Sequence, residues 1–190
     1  MEKLKADELV AQPKTPEDHL AAIKEEIKRE DLPKLSVHIT ERHVGQITID
    51  PAAETEISML AEQSGFELLD VASGEGGRAD VVLAGEALSE FASRQGNLVS
   101  VKARVEVKAT DVKTGEVIAI DRQTAVAVDL AEQIAAKAAL QRAAAEIAVR
   151  MLPKLTGAGT EATEQDTAQA QDTPQTGEQA QTGQQGAEKQ

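Results

Sequence analysis

The chain has no cysteine, tryptophan or tyrosine, and Phe66 and Phe91 are its only large aromatic rings. Without cysteine there is no disulfide framework, no thiolate metal site, no cysteine nucleophile and no lipidation cysteine. The poverty in rings argues against two binding modes. Single-stranded nucleic-acid binders stack bases on aromatic side chains, and small-molecule pockets are commonly lined with them. The core must be built from Val, Ile, Leu and Ala.

Long apolar runs are missing too. No stretch approaches the roughly 20 residues that cross a bilayer as a helix. The opening segment MEKLKADELVAQ mixes charges along its length and lacks the continuous apolar centre of a secretory signal. As written the chain is expected in the cytoplasm; with a signal upstream of Met1 it belongs to the periplasm or cell envelope. Net charge is −13 and the isoelectric point about 4.7, so most of the surface repels a phosphate backbone and no nucleic-acid partner is expected.

Within these limits the pattern is informative. Thr15-Pro16-Glu17-Asp18 places an N-cap before a proline at the first helical position, with acids in the first turn. Leu20, Ile23 and Ile27 then mark one face of a peripheral helix running to about Glu30. After Leu32-Pro33, Leu35, Val37 and Ile39 alternate with Ser36, His38 and Thr40 as a half-buried strand does. Asp50-Pro51 starts a second helix, with Asp50 placed to cap it and Ala53, Ile57, Leu60 and Ala61 on its apolar face. Gly65 stands at its C-terminal cap, and Phe66 to Val71 resumes as a strand. Strand, helix and strand within this span have the size of a βαβ unit, so the first two strands are expected to be parallel.

From Ala79 to Val128 three consecutive antiparallel strands follow. Gly85 marks a bulge or a close approach of another element, and Gly96-Asn97 a turn. Val99, Val101, Ala103, Val105, Val107 and Ala109 share one face; Ser100, Lys102, Arg104, Glu106 and Lys108 share the other. One face is core and the other is wet. Lys113-Thr114-Gly115-Glu116 is a hairpin turn. Asp129 and Glu132 resemble a capping box for the last helix, whose stripe runs through Leu140, Ala144, Ile147 and Met151, flanked by Ile134 and Ala148, until Pro153 ends it.

The expected fold is therefore α+β in two layers: a mixed sheet of about five strands, β-α-β and then an antiparallel three-strand meander, with the long C-terminal helix packed on the sheet. The expected organisation is a helical segment at 1–33, the α/β domain at 34–155, and an acidic tail at 156–190 rich in Gln, Thr, Ala and Gly. The tail carries no branched aliphatic or aromatic residue to bury and is expected to be disordered.

Candidate chemistry is thin. Glu86 and Glu90, four apart on a strand, would lie about 13 Å from each other, beyond the spacing of most paired carboxylates in glycoside hydrolysis. His38, Glu41 and His43 are the best metal-ligand set, but their spacing matches no standard motif. Ser73-Gly74-Glu75-Gly76-Gly77-Arg78 lacks the Lys-Ser/Thr ending of a phosphate loop. No serine has a histidine and an acid in a recognisable arrangement. No cofactor, metal or catalytic residue is expected. The one ordered, partly basic surface the pattern defines is Lys102, Arg104, Glu106 and Lys108, the candidate interaction surface.

The local text carries a resemblance. Asp50-Pro51-Ala52-Ala53-Glu54-Thr55-Glu56 opening a helix, Gly65-Phe66 after it, Ala79-Asp80-Val81-Val82 with Gly85-Glu86-Ala87, the Arg104-Val105-Glu106-Val107 strand, Thr114-Gly115-Glu116 and the Lys137-Ala138-Ala139-Leu140 helix together resemble the CsgG-type soluble α/β domain. That domain is shared by curli-secretion, flagellar-assembly (FlgT) and penicillin-binding-protein-activating (LpoB) proteins of bacteria, and the likeness covers about Leu35 to Leu155. It implies a non-enzymatic assembly or scaffold role in the cell envelope, with protein partners or homo-oligomers and at most peripheral membrane association. A pore is not implied, because the chain has no pair of amphipathic membrane hairpins. The alternative is a cytoplasmic small-ligand-binding domain or enzyme using the loops around Gln46, Gly74 to Gly77 and Gly96.

Overall fold

Thr15 and Asp18 exchange the two hydrogen bonds of a capping box, and helix α1 (Pro16–Glu26) begins there with proline in its first turn. This is seen in a computed structural model, which describes residues 14–27, 32–48, 50–70 and 78–157. The end of the first predicted helix at 28–30, Val71, the glycine-rich loop at 73–77 and the tail from 158 lie outside the described residues. On α1, Ile23 is fully buried in the main core and Leu20 and Ile27 pack against it. The helix thus docks on the domain, against α3 (Glu132–Met151).

Strand β1 (Leu35–His43) runs further than its apolar alternation indicates and turns through Val44-Gly45 into the two-residue β2 (Gln46–Ile47). Both turn residues have positive φ, 48° at Val44 and 79° at Gly45. Two successive residues of that hand match the right-handed twist of the flanking strands.

Helix α2 (Ala52–Gln63) ends as expected. The Phe66 amide bonds to the Ala61 carbonyl and the Gly65 amide to that of Glu62, with Gly65 at φ +102°. This is the paired-bond helix stop that glycine favours. Its start is not as expected. Asp50 does not cap it; the Ala52 and Ala53 amides are instead taken by the buried carboxylate of Glu41 on β1.

The stretch after α2 departs from the sequence reading. Residues 66–70 form no strand, only a parallel bridge between Leu35 and Leu68. Parallel pairing of β1 is made instead with β3 (Val81–Gln95), in register from Leu35 opposite Val81 to His43 opposite Ser89. Phe66 is nonetheless buried, because the helix stop turns it into the core rather than into a ladder.

β3, β4 (Leu98–Asp111) and β5 (Val117–Asp129) form the antiparallel meander in the expected order. Five strands make one mixed sheet, ordered β2-β1-β3-β4-β5. The inward residues of β4, Val99 through Ala109, are all buried, as their alternation requires. Gly85 lies so close to β4 that an added Cβ would stand 2.2 Å from the Glu106 carbonyl oxygen.

α3 lies across the same face, burying Leu140, Ala144, Ile147, Ala148 and Met151 together with Ala139 and Ala143. With so many alanines the helix can sit close to the sheet. Two expectations fail here. Ile134 is 57% exposed. Asp129 and Glu132 form no capping box: Asp129 accepts from the Leu130 and Ala131 amides, and the N-cap is Ala131. After Met151 the backbone tightens into a 3-10 helix, Leu152–Gly157, which contains Pro153 and buries Leu155. Helices packed on one face of a mixed sheet define an α+β fold of two layers.

Candidate functional site

Along β4 and β5 the sheet face opposite the helices is solvent-exposed, whereas Ser36, on the same side of β1, is buried. Lys102, Arg104, Glu106 and Lys108 occupy its middle strand, and the register extends them into rows across the sheet. Thr40, Glu86, Glu106 and Arg122 form one row; Arg42, Leu88, Arg104 and Thr124 form the next; Glu90, Lys102 and Val126 form a third. Five basic side chains (Arg42, Lys102, Arg104, Lys108, Arg122) face three acidic ones (Glu86, Glu90, Glu106). The face is net basic on a chain of net charge −13.

Its charges are ordered. Arg104 donates to the Glu106 carboxylate through Nε at 2.8 Å and again through Nη2, and Arg122 Nη1 stands 3.7 Å from the same oxygen. The Arg104 hydrogen bonds, with the charges of Arg104 and Arg122, hold the Glu106 carboxyl below its ordinary pKa. Glu86 and Glu106 sit directly opposite one another, and the two arginines offset that repulsion. A shallow concavity of about 680 Å³ opens here between the β1–β2 turn and β5, lined by Val44, Leu88, Lys102, Arg104, Arg122 and Thr124 among others.

A second concavity, about 460 Å³, lies at the same end of β1 but on the helix side, between the β1–β2 hairpin and α3. Glu41, His43, Gln46, Ser89 and Lys137 line it, and Lys137 pairs with Asp50 at its mouth. Here the structure corrects the sequence reading on serine. Ser89 Oγ is 2.9 Å from His43 Nδ1, and His43 Nε2 is 3.5 Å from Glu132 Oε1.

The trio has the composition of an acyl-transfer triad without its setting. Ser89 is only 3% exposed and sits inside a ladder strand rather than on a turn. A nucleophile of that kind needs substrate access and oxyanion donors aimed at one point. What the contacts do is tie the first turn of α3 to β1 and β3.

His38, Glu41 and His43 are not brought together. Residues of opposite parity leave a strand on opposite faces, so His38 points outward, 3.7 Å from Glu54, while Glu41 and His43 point toward the helices. Among the described residues no group of three His, Cys, Asp or Glu side chains could hold a metal ion. Glu86 and Glu90 are exposed on the outer face, as a wet strand predicts.

Sequence reasoning missed Ser89, and it weighed Glu41 as a metal ligand and not as the acceptor at the start of α2. Both continue the inward phase set by Leu35 and Ile39 on β1 and by Leu83 and Ala87 on β3, and a polar residue on that phase was the available signal. It also missed the apolar outer positions of β5, Ile120 and Val126.

No protein-family model and no curated protein matches the sequence. Several solved structures are similar at low identity. A Xanthomonas campestris protein of family DUF330 is 14% identical, with a TM-score of 0.44 over 74% of this chain and 94% of its own. The PelC dodecamer from Paraburkholderia phytofirmans is 18% identical, with a TM-score of 0.39 over 65% and 88%. The C-terminal domain of LpoB from Salmonella enterica is 16% identical, with a TM-score of 0.32 over 56% and 97%.

Proposed function

We propose that this chain is a non-enzymatic assembly or scaffold module of the bacterial cell envelope, acting by protein–protein contact through the solvent-exposed face of its sheet along β4 and β5. The observation that carries the reading is that face: a net-basic field centred on Lys102, Arg104, Glu106 and Lys108, on an otherwise acidic chain. Antiparallel sheets tolerate one solvated face, but a solvated face has no need to concentrate one sign of charge. The partner surface that complements it is acidic. The CsgG-like sequence pattern supplies the envelope part of the reading.

The test is fractionation of the native host, with in-cell cross-linking of the wild-type chain and a Lys102→Glu/Lys108→Glu variant. An envelope location with a cross-linked partner, lost in the variant, supports the proposal. A cytoplasmic location, or cross-links indifferent to the charge reversal, overturns it. A second reading, small-ligand binding in the concavity beside His43, Gln46 and Lys137, rests on the presence of that groove. Saturable metabolite binding abolished by Gln46→Ala would promote it.

A further inference from the structure

The two edges of the sheet are finished differently. Along β1 several of the backbone groups on the side away from β3 are taken. The Leu35 amide donates to the Glu67 carbonyl and the Leu35 carbonyl accepts from Leu69, both at 2.8 Å. The Ile39 amide donates to Glu54 Oε2 at 2.7 Å, the Glu41 carbonyl accepts from Thr48, and β2 covers the end of the strand. The opposite edge, β5, has no strand beside it among the described residues, although it is 13 residues long. The side chains on its outer face include Ile120 at 72% exposure and Val126 at 50%. A long open edge flanked by exposed apolar residues is the feature that soluble proteins usually avoid.

We propose that β5 is a dimerisation edge, and that its occupant is β5 of a second copy of this chain, paired antiparallel about Gln123. The backbone phase comes from one contact. Arg142 Nη1 donates to the Val126 carbonyl at 3.1 Å, so that carbonyl points away from β4 toward the open edge. A carbonyl has two lone pairs, and the Arg142 contact leaves one for a neighbouring strand. In an antiparallel strand the amide and carbonyl of one residue point the same way, and the sides alternate along the chain. Ile120, Arg122, Thr124 and Val126 therefore all present their backbone groups to the open edge.

A two-fold axis at Gln123 pairs these residues among themselves. Ile120 falls opposite the partner's Val126, and Arg122 opposite the partner's Thr124. Apolar meets apolar, and each Arg122 keeps the Glu106 of its own copy 3.7 Å away, so no basic residue faces another directly across the seam. Moving the axis to Thr124 would set Arg122 against Val126. The β1 edge supplies the other half of the argument. Head-to-tail pairing of β5 with β1 would build an open filament, and the bonds already made at Leu35, Ile39 and Glu41, with β2 across the strand's end, oppose it. Only the two-fold arrangement closes, giving one continuous ten-stranded sheet with two net-basic faces side by side.

This inference deepens the scaffold reading, by naming how one copy meets another, and it fails separately from it. Sedimentation equilibrium of the purified full chain across the micromolar range is expected to give twice the 20.1 kDa of one chain. Ile120→Lys/Val126→Lys, which alters only exposed side chains, is expected to return the monomer with unchanged circular dichroism. Because the chain has no cysteine, Gln123→Cys is a clean reporter of register. Under mild oxidation it should cross-link to a dimer, and Asp129→Cys should not. A monomer at every concentration, with no cross-link at position 123, overturns the dimer even where the protein proves to be in the envelope. A dimer indifferent to the double lysine variant and silent at position 123 overturns it equally, as does a partner of different sequence on this edge with no self-association. Failure of the envelope reading shows instead as a cytoplasmic location, whatever the mass.

Discussion

Glu41 and Ala52 are joined by a 2.7 Å hydrogen bond in which the helix amide donates to the buried carboxylate, and the Ala53 amide donates to the same oxygen at 3.0 Å. A strand residue thereby does the work of an N-cap, satisfying two orphan amides and placing negative charge at the positive end of α2. The exchange is reciprocal, since Glu54 of α2 accepts the Ile39 amide of β1.

Replacing Glu41 with Ala should cost about 2 kcal/mol, because it leaves a buried helix end with two unmet donors. Glu41→Gln keeps an acceptor oxygen and should recover most of that. Urea unfolding of the three proteins checks the order. Equal stability of the Ala variant and wild type would show that the carboxylate does not hold the helix.

Gly85→Ala should be among the most damaging single-methyl changes available. The added carbon meets the backbone oxygen of Glu106, which no rotamer change can move, so β3 and β4 must separate. A loss of about 3 kcal/mol is expected, at the upper end of overpacking effects. A thermal scan showing an unchanged melting temperature would mean the two strands lie further apart than described.

What the sequence disclosed and what it hid follow from distance along the chain. The β4 face from Val99 to Ala109 was legible because alternation is local and needs no knowledge of a partner. Gly65 was legible because a helix stop is also local. Glu41 was not, since its partners lie on the next element and its own neighbours, Thr40 and Arg42, make it look like part of a polar loop. Residues 66–70 misled for the opposite reason: they are apolar enough for a strand, yet only Phe66 is buried, as the packing of a helix stop, and Leu68 makes a single bridge to Leu35. That Lys102, Arg104, Glu106 and Lys108 share the outer face of β4 was read directly from parity, whereas the neighbouring Arg122 and Arg42 join that face only through register. The edge at β5 was invisible, because strand order is a property of the sheet and not of any one segment.

Val44→Asn should stabilise the protein. A β-branched residue at φ 48° carries the steric cost of the left-handed region, which Asn tolerates better, and Val44 is 64% exposed, so little packing is lost. A gain of about 1 kcal/mol is expected by urea denaturation. A loss would show that Val44 packs against something on the outer face, such as a bound partner.

The Asp121–Arg150 pair sets an acid limit on stability. Burial pushes the Asp121 carboxyl up, but hydrogen bonds from Arg150 and from the Arg122 amide, together with the Arg150 charge, outweigh it and leave the pKa below the ordinary value. Arg150 stays charged throughout. A carboxyl with a depressed folded pKa contributes stability that is complete above the unfolded value, near 4, and is lost as pH falls through the folded one. The pair is partly exposed, so solvent screening limits its worth to about 1 kcal/mol. Asp121→Asn should therefore lower the melting temperature at pH 7 and flatten its decline between about pH 4 and pH 2 relative to wild type. Parallel curves for the two proteins across that window would mean the ion pair carries none of the acid sensitivity, leaving Asp18, Glu106 and Asp111, whose carboxyls are also held low, to account for it.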